Sequence, residues 1–185
     1  MNDDLSRPVA VMVALFLLVM AIAWWAVADE TADLPTADAI LAYDIGVEID
    51  RAYRLADVID EAARDHDLDP LLIAALVRRE SAFWTSVEER RLFGERGEIG
   101  LMQTHGVALR YRPDECSSRL EGAWCQVQTG AAFLAYARAH CGGSPWRWVA
   151  AYGMSSCPSE HAARENYATK RAHGYYREIG GTGWD

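Results

Sequence analysis

The stretch DPLLIAALVRRESAF, Asp69 to Phe83, decides how this chain folds. Asp69 followed by Pro70 is a helix start, with an acceptor side chain at the N-cap and a ring that pre-sets φ at the first helical position. The run after it is apolar on nearly every side for two turns, as expected of a helix at the centre of a core. Ile73, Leu76 and Val77 stand seven, four and three residues before Glu80, so helical spacing puts Glu80 on the same apolar stripe. Such a carboxylate loses hydration and its charged form is disfavoured, which suits a general acid. The plainer alternative is a glutamate paired with a neighbouring arginine, Arg78 or Arg79.

Outward from this helix the pattern stays helical. Ala52, Leu55, Ala56, Ile59, Ala62 and Ala63 recur at helical spacing and predict a helix from about Arg51 to His66. Further helices are predicted over Gln128–His140, closed by Gly142-Gly143, over Trp146–Tyr152, and from about Ser159 towards Tyr176. No pair of alternating strands is present, so the fold class is mainly α, a compact lobe around one buried helix. With 185 residues, 51% of them hydrophobic, the chain builds one core.

The net charge of −9 argues against nucleic acid as a partner, since phosphate backbones require clustered Lys and Arg. Val9 to Ala28 contains no charged residue, and twenty residues at helical rise cross a hydrocarbon core. This is either a retained transmembrane anchor, with Trp24-Trp25 at an interface, or a signal peptide cut after Ala26-Val27-Ala28. Arg7 puts residues 1–8 in the cytoplasm, and both readings export the remainder to the periplasm or cell envelope. Residues 29–50 carry seven acids and no base and read as an acidic spacer, although Ile45, Val47 and Ile49 alternate as if to pack. The folded domain is expected over 51–180, with 181–185 as a tail.

Cys116, Cys125, Cys141 and Cys157 all lie in the exported part, an even number in an oxidising place. Three pairings are open. Cys116–Cys125 and Cys141–Cys157 close short neighbouring loops and are preferred. A zinc site helped by His140 and His161 is the alternative, and the lack of a Cys-x-x-Cys spacing counts against it.

The string GEIGLMQ at Gly97–Gln103, coming after RRESAF at Arg78–Phe83, resembles the signature of the soluble lytic transglycosylases, the SLT family of the lysozyme-like superfamily. Leu68-Asp69-Pro70, Gly130–Leu134 and Trp148–Tyr152 resemble further segments of that family, so the likeness runs from about residue 53 to 178. It implies a lysozyme-like domain that cuts peptidoglycan between N-acetylmuramic acid and N-acetylglucosamine without cofactor or metal. Glu80 would be the single general acid and base, with the muramic acid 6-hydroxyl as nucleophile and a 1,6-anhydro ring as product. A second carboxylate, needed by ordinary glycosidases, is then dispensable. Glu98, the nearest other acid, is expected to be exposed.

By the same resemblance Ser81 would contact the sugar, Met102 and Gln103 would line the groove, and Tyr152 and Tyr167 would reach into the site. Met102, the Trp84 region and Tyr152 would form an apolar wall that excludes water. His105 reads as a polar lining residue. The departures are as specific as the matches. Ala151–Ser155 reads Ala-Tyr-Gly-Met-Ser where the family has Ala-Tyr-Asn-Ala-Gly, only Tyr167 survives of Glu-Thr-x-x-Tyr, and Thr85–Arg96 is longer and more charged than the usual link. A hydrolytic muramidase of the same fold, and a glycan-binding module of an envelope-spanning secretion or conjugation assembly, are the competing functions.

Overall fold

The computed structural model describes residues 35–43, 46–154 and 156–184. The apolar stretch Val9–Ala28 lies outside them, and among the described residues no helix is long and apolar enough to cross a membrane. The described residues fall in one compact unit. Its helices are α1 (Pro35–Tyr43), α2 (Ile49–His66), α3 (Pro70–Ser81), α4 (Thr85–Glu88), α5 (Gly122–Cys141), α6 (Pro145–Met154), α7 (Glu160–Glu165) and α8 (Tyr167–Glu178), with a 3-10 turn at Gly106–Tyr111. The described residues show no strand, only an isolated antiparallel bridge between Ile99 and Thr104.

The centre is α3. The Asp69 side chain accepts the Leu71 N–H at 2.8 Å, and Leu72 through Val77 are all buried. Around it pack α1, α2 and α8, while α5 lies against α2 and α6. Burying a Leu or Ile side chain contributes about 1.5–3 kcal/mol, so this helix is a large part of the core's stability. The Gln128 amide joins α5 to α2, donating to Asp65 at 2.7 Å while its oxygen meets the His66 ring at 3.0 Å.

Four boundaries differ from the sequence expectation. The acidic stretch 29–50 contains α1, which buries Thr36, Ala37, Ala39 and Ile40, and the Thr36 hydroxyl donates to Asp60 at 2.6 Å. Its buried face has one large residue, Ile40, among small ones, its acid, Asp38, points to solvent, and the acids around it hide it. In the same stretch Val47 is half-buried and Ile49 exposed. Helix α5 begins at Gly122, six residues early, and continues through Cys125. The last helix is two, because Asn166 leaves helical geometry (φ −66°, ψ 120°) and caps α8 by accepting the Thr169 N–H at 2.9 Å.

The fourth difference is the C-terminus. Trp184 is buried against Trp146, His173 and Tyr176. A Cβ at Gly181 would meet the Tyr176 ring at 2.3 Å, so only glycine lets the chain wrap that ring. The Tyr176 hydroxyl donates in turn to the N-cap Asp69 at 2.5 Å. Disulfides join Cys116 to Cys125 and Cys141 to Cys157, and no free cysteine remains.

Candidate active site

Glu80 stands one residue before the end of α3, and the backbone just beyond that end is unusual. Ala82 and Phe83 both have positive φ, 49° and 57°, a conformation that costs a non-glycine residue energy and persists only where surroundings enforce it. Here the enforcement is visible. The Ala82 N–H returns to the Arg78 carbonyl at 3.0 Å. Buried Arg51 donates to the Phe83 carbonyl at 2.7 Å and pairs with Glu88 at 2.6 Å. The chain therefore turns sharply after Ser81 and stops the helix with Glu80 at its rim.

The second element is the turn Gly100–Gln103. The Gln103 N–H bonds the Gly100 carbonyl at 2.9 Å, and Ile99 and Thr104 exchange both backbone bonds across its base. Three contacts clamp it. The Leu101 N–H donates to the buried Gln126 side chain at 2.9 Å, and the Gln126 amide donates onward to the Glu88 and Leu120 carbonyls at 2.7 and 3.1 Å. The Met102 side chain lies on Gly130 of α5, where a Cβ would sit 2.4 Å from its sulfur and 2.7 Å from its Cβ. The Tyr152 hydroxyl donates to the Met102 carbonyl at 2.7 Å. Held this way, Gln103 takes positive φ (47°) and faces outward, its amide donating to the Gly100 carbonyl at 2.9 Å.

Between these elements lies a cavity of about 550 Å³. Glu80, Phe133 and Tyr152 line one side of it, and the loop segments from Gly94 to Ala108 line the other, with Glu95, Arg96, Glu98, Gln103 and His105. The Glu80 side chain is 20% exposed and pairs with the Arg79 guanidinium, which is 7% exposed. Glu80 thus lines the cleft and also has the arginine partner that the plainer reading named. Burial pushes the Arg79 guanidinium down to about 10, opposed by Tyr152 and assisted by Arg171, so it stays cationic at neutral pH. Burial pushes the Tyr152 phenol up, so it remains a neutral donor.

The remaining expectations divide. Gln103, Tyr152 and His105 line the cavity with Glu80. Met102 does not: it is fully buried, because the turn directs its side chain onto Gly130. Ser81 is buried, and its hydroxyl donates back to the Val77 carbonyl at 3.0 Å, as serines near helix ends do. Tyr167 begins α8, is 73% exposed and lies by Arg171. Trp84 is exposed and borders a different cavity, with Arg51, Arg54 and Glu88. Glu98, expected outside, is half-buried and lines the cleft. Hydrogen bonds from its own backbone N–H and that of Arg96 hold its carboxyl below the usual range.

Sequence reasoning missed Gln126 and Gly130 as parts of the site, and left open which arginine, Arg78 or Arg79, pairs with Glu80. An uncharged amide and a glycine on the apolar face of α5 were the available signal, since neither belongs there without a neighbour that needs it. Residues 57–174 match the family model described as the transglycosylase SLT domain. No curated protein matches the chain.

Proposed function

We propose, from the premise that the chain belongs to the transglycosylase SLT domain family, that it cleaves the β-1,4 bond between N-acetylmuramic acid and N-acetylglucosamine with Glu80 as its only general acid and base. Membership implies glycan cleavage and a peptidoglycan substrate; the bond, the product and the residue roles are the proposal. The observation that carries it is Glu80 itself, at the rim of the buried helix, facing a cavity of about 550 Å³.

In this mechanism the Glu80 carboxyl gives its proton to the glycosidic oxygen as the bond to the anomeric carbon breaks. The resulting carboxylate is paired with Arg79 and takes the proton of the muramic 6-hydroxyl while that oxygen bonds the anomeric carbon. One proton leaves Glu80 and one returns, and no water is consumed. Gln103 has its amide nitrogen committed to Gly100, which leaves its oxygen to accept an acetamido N–H. The Tyr152 ring supplies an apolar wall. An oriented intramolecular hydroxyl reaches effective molarities of about 10⁵–10⁸ M, against roughly 55 M for water.

The domain is proposed to work outside the cytoplasm, in the periplasm or cell envelope, and its two disulfides support an oxidising compartment. Residues 9–28 would either anchor it in the inner membrane or be removed. A place in an envelope-spanning secretion or conjugation assembly is compatible with that topology.

Glu98 favours a second reading, a hydrolytic muramidase. Its carboxylate is ionised and in the same cavity, where it could activate water. Digestion of peptidoglycan in heavy-oxygen water separates the two. Anhydro ends without label are expected; label at the anomeric position of most products would establish the hydrolase and overturn the transglycosylase mechanism.

A further inference from the structure

Helix α5 carries an aromatic run beside the cleft. Phe133 lies 5.4 Å from Tyr152 and 6.3 Å from Tyr136, measured between ring centroids. Tyr136 continues the run to Tyr111 at 4.8 Å and to His140 at 5.4 Å, its plane only 8° from that of the histidine. Phe133 is buried, which a core requires, but Tyr136 is 40% exposed and His140 is exposed too. Against Phe133, Tyr136 and His140 lies a hollow of about 140 Å³, closed on its other side by Ala151 and Cys157. Val107 and Phe133 border both this hollow and the main cavity, so the two are adjacent.

The chemistry of this extension is narrow. Apart from His140 and the Tyr136 phenol its lining has no titrating side chain, since Cys141 and Cys157 are joined in a disulfide. It offers no fixed charge to an anionic or cationic ligand. Its aromatic rings present negative faces, which attract the polarised C–H groups on the apolar side of a pyranose ring. Water occupies about 30 Å³ per molecule, so the hollow has room for roughly four or five groups of that size, enough for one acetamido substituent and not for a further disaccharide.

We propose that the Tyr136–His140 face with its adjoining hollow is an outlying subsite for an N-acetylated sugar ring of the same glycan strand whose bond is cut at Glu80. The proposal rests on the glycan-cleaving reading above, and it adds a length requirement. A strand long enough to reach from the main cavity past Val107 gains the extra contact; a short one does not. The gain is in binding, because the contact is remote from the reacting atoms and is equal in ground and transition states.

The test compares the full-length chain with its Tyr136→Ala and Tyr136→Phe variants on peptide-free glycan strands sorted by length. Tyr136→Ala is expected to raise KM for long strands about three- to tenfold with kcat unchanged, the size expected for losing one aromatic contact. Kinetics on the shortest cleaved strands are expected to stay at wild type, and Tyr136→Phe to behave as wild type on all lengths. Equal loss on short and long strands, a change in kcat alone, no change at all, or an effect seen only when stem peptides are present would each overturn the subsite. Direct binding of long strands to the wild-type and Tyr136→Ala chains, read by tryptophan fluorescence, decides the same question without turnover. If the wild-type chain released no product, the cleavage reading would fall, while equal or unequal binding by the two chains would still reject or support the subsite.

Discussion

The helical wall of the cleft, with Glu80, Phe133 and Tyr152, is drawn from α3, α5 and α6 and is mostly buried, whereas the loop wall from Gly94 to Ala108 leaves Glu95, Arg96 and His105 less covered. The proposed acid, Glu80, stands on the first wall, next to a counter-ion and a phenol that burial keeps neutral. The second wall supplies exposed polar groups on a segment whose Leu101, Met102 and Ala108 are themselves part of the core. One residue belongs to both: Gln103 sits on the loop but is fixed from the helical side, through Gln126, Gly130 and Tyr152. The difference teaches that the turn Gly100–Gln103 is less a lining element than a joint between walls, held rigid so that one side chain can face the cleft.

The largest effect is expected at Glu80, where the proposed mechanism puts the chemistry. Glu80→Gln keeps shape and removes the proton, so turnover of peptidoglycan should fall about 10²–10⁴-fold. Circular dichroism and thermal melting should show the fold intact. A folded Gln variant with near wild-type turnover would move the catalytic role to another group, with Glu98 the first to examine.

The next break is aimed at the clamp. Gly130→Ala gains helix propensity of about 1 kcal/mol, yet its new methyl meets the Met102 sulfur and Cβ. The sulfur can swing away, but the Met102 Cβ moves only with the turn. Overpacking of this kind costs about 1–3 kcal/mol, so a lower melting temperature is expected despite the better helix former. Activity should fall with it, because Gln103 moves when the turn does. Adding Met102→Ala removes the sulfur contact and should return part of the stability in a double-mutant cycle. A stabilised and fully active Gly130→Ala would show that the two walls are not coupled here.

How much of this is legible in the sequence depends on the physics of each element. The signals for α3 are local, an N-cap, a proline and an unbroken apolar run, and the helix stands where they predict. The position of Glu80 on the apolar stripe is legible for the same reason. By contrast α1 is only nine residues long and lies in an acidic stretch, and tertiary contact with α2 and α3 makes it worth folding. Trp184 hides in a glycine-rich end whose purpose is the shape of Tyr176. At the site, residue types are legible and directions are not. The motif, written as a string, puts Met102 in the groove, but the turn sends Leu101 and Met102 inward and Gln103 out. The same resemblance assigns Tyr167 and Ser81, whose directions depend on where α8 starts and on the Val77 carbonyl.

A smaller effect should come from the hydroxyl that ties α6 to the turn. Tyr152→Phe keeps the ring in the cleft and leaves the Met102 carbonyl without its donor. A buried acceptor deprived of its partner costs about 1–3 kcal/mol, visible as a drop in melting temperature. If the turn is held mainly from below, by Gln126 and Gly130, kcat should change only severalfold. A loss as deep as that of Glu80→Gln would instead give the phenol a direct part in the reaction.

The smallest change sharpens the comparison at the edge where this chain departs from its family. Gly153 lines the cavity at the end of α6, beside Tyr152, where the motif places an asparagine. A Cβ there would meet nothing within 4 Å, and the residue is not among the glycines of positive φ, so the backbone accepts a side chain without strain. Gly153→Asn should therefore leave stability unchanged or raise it by about a few tenths of a kcal/mol, since glycine is the poorer helix former. The new amide would face the same space as Glu80 and Gln103 and could bond a sugar hydroxyl or acetamido group. One added neutral hydrogen bond contributes about 0.5–1.5 kcal/mol, so kcat/KM should rise roughly two- to tenfold. Steady-state kinetics on purified glycan strands measures this directly. An unchanged kcat/KM in a stable variant would mean that the helical wall makes no polar contact at residue 153, and that recognition in this chain rests on the loop wall and Gln103.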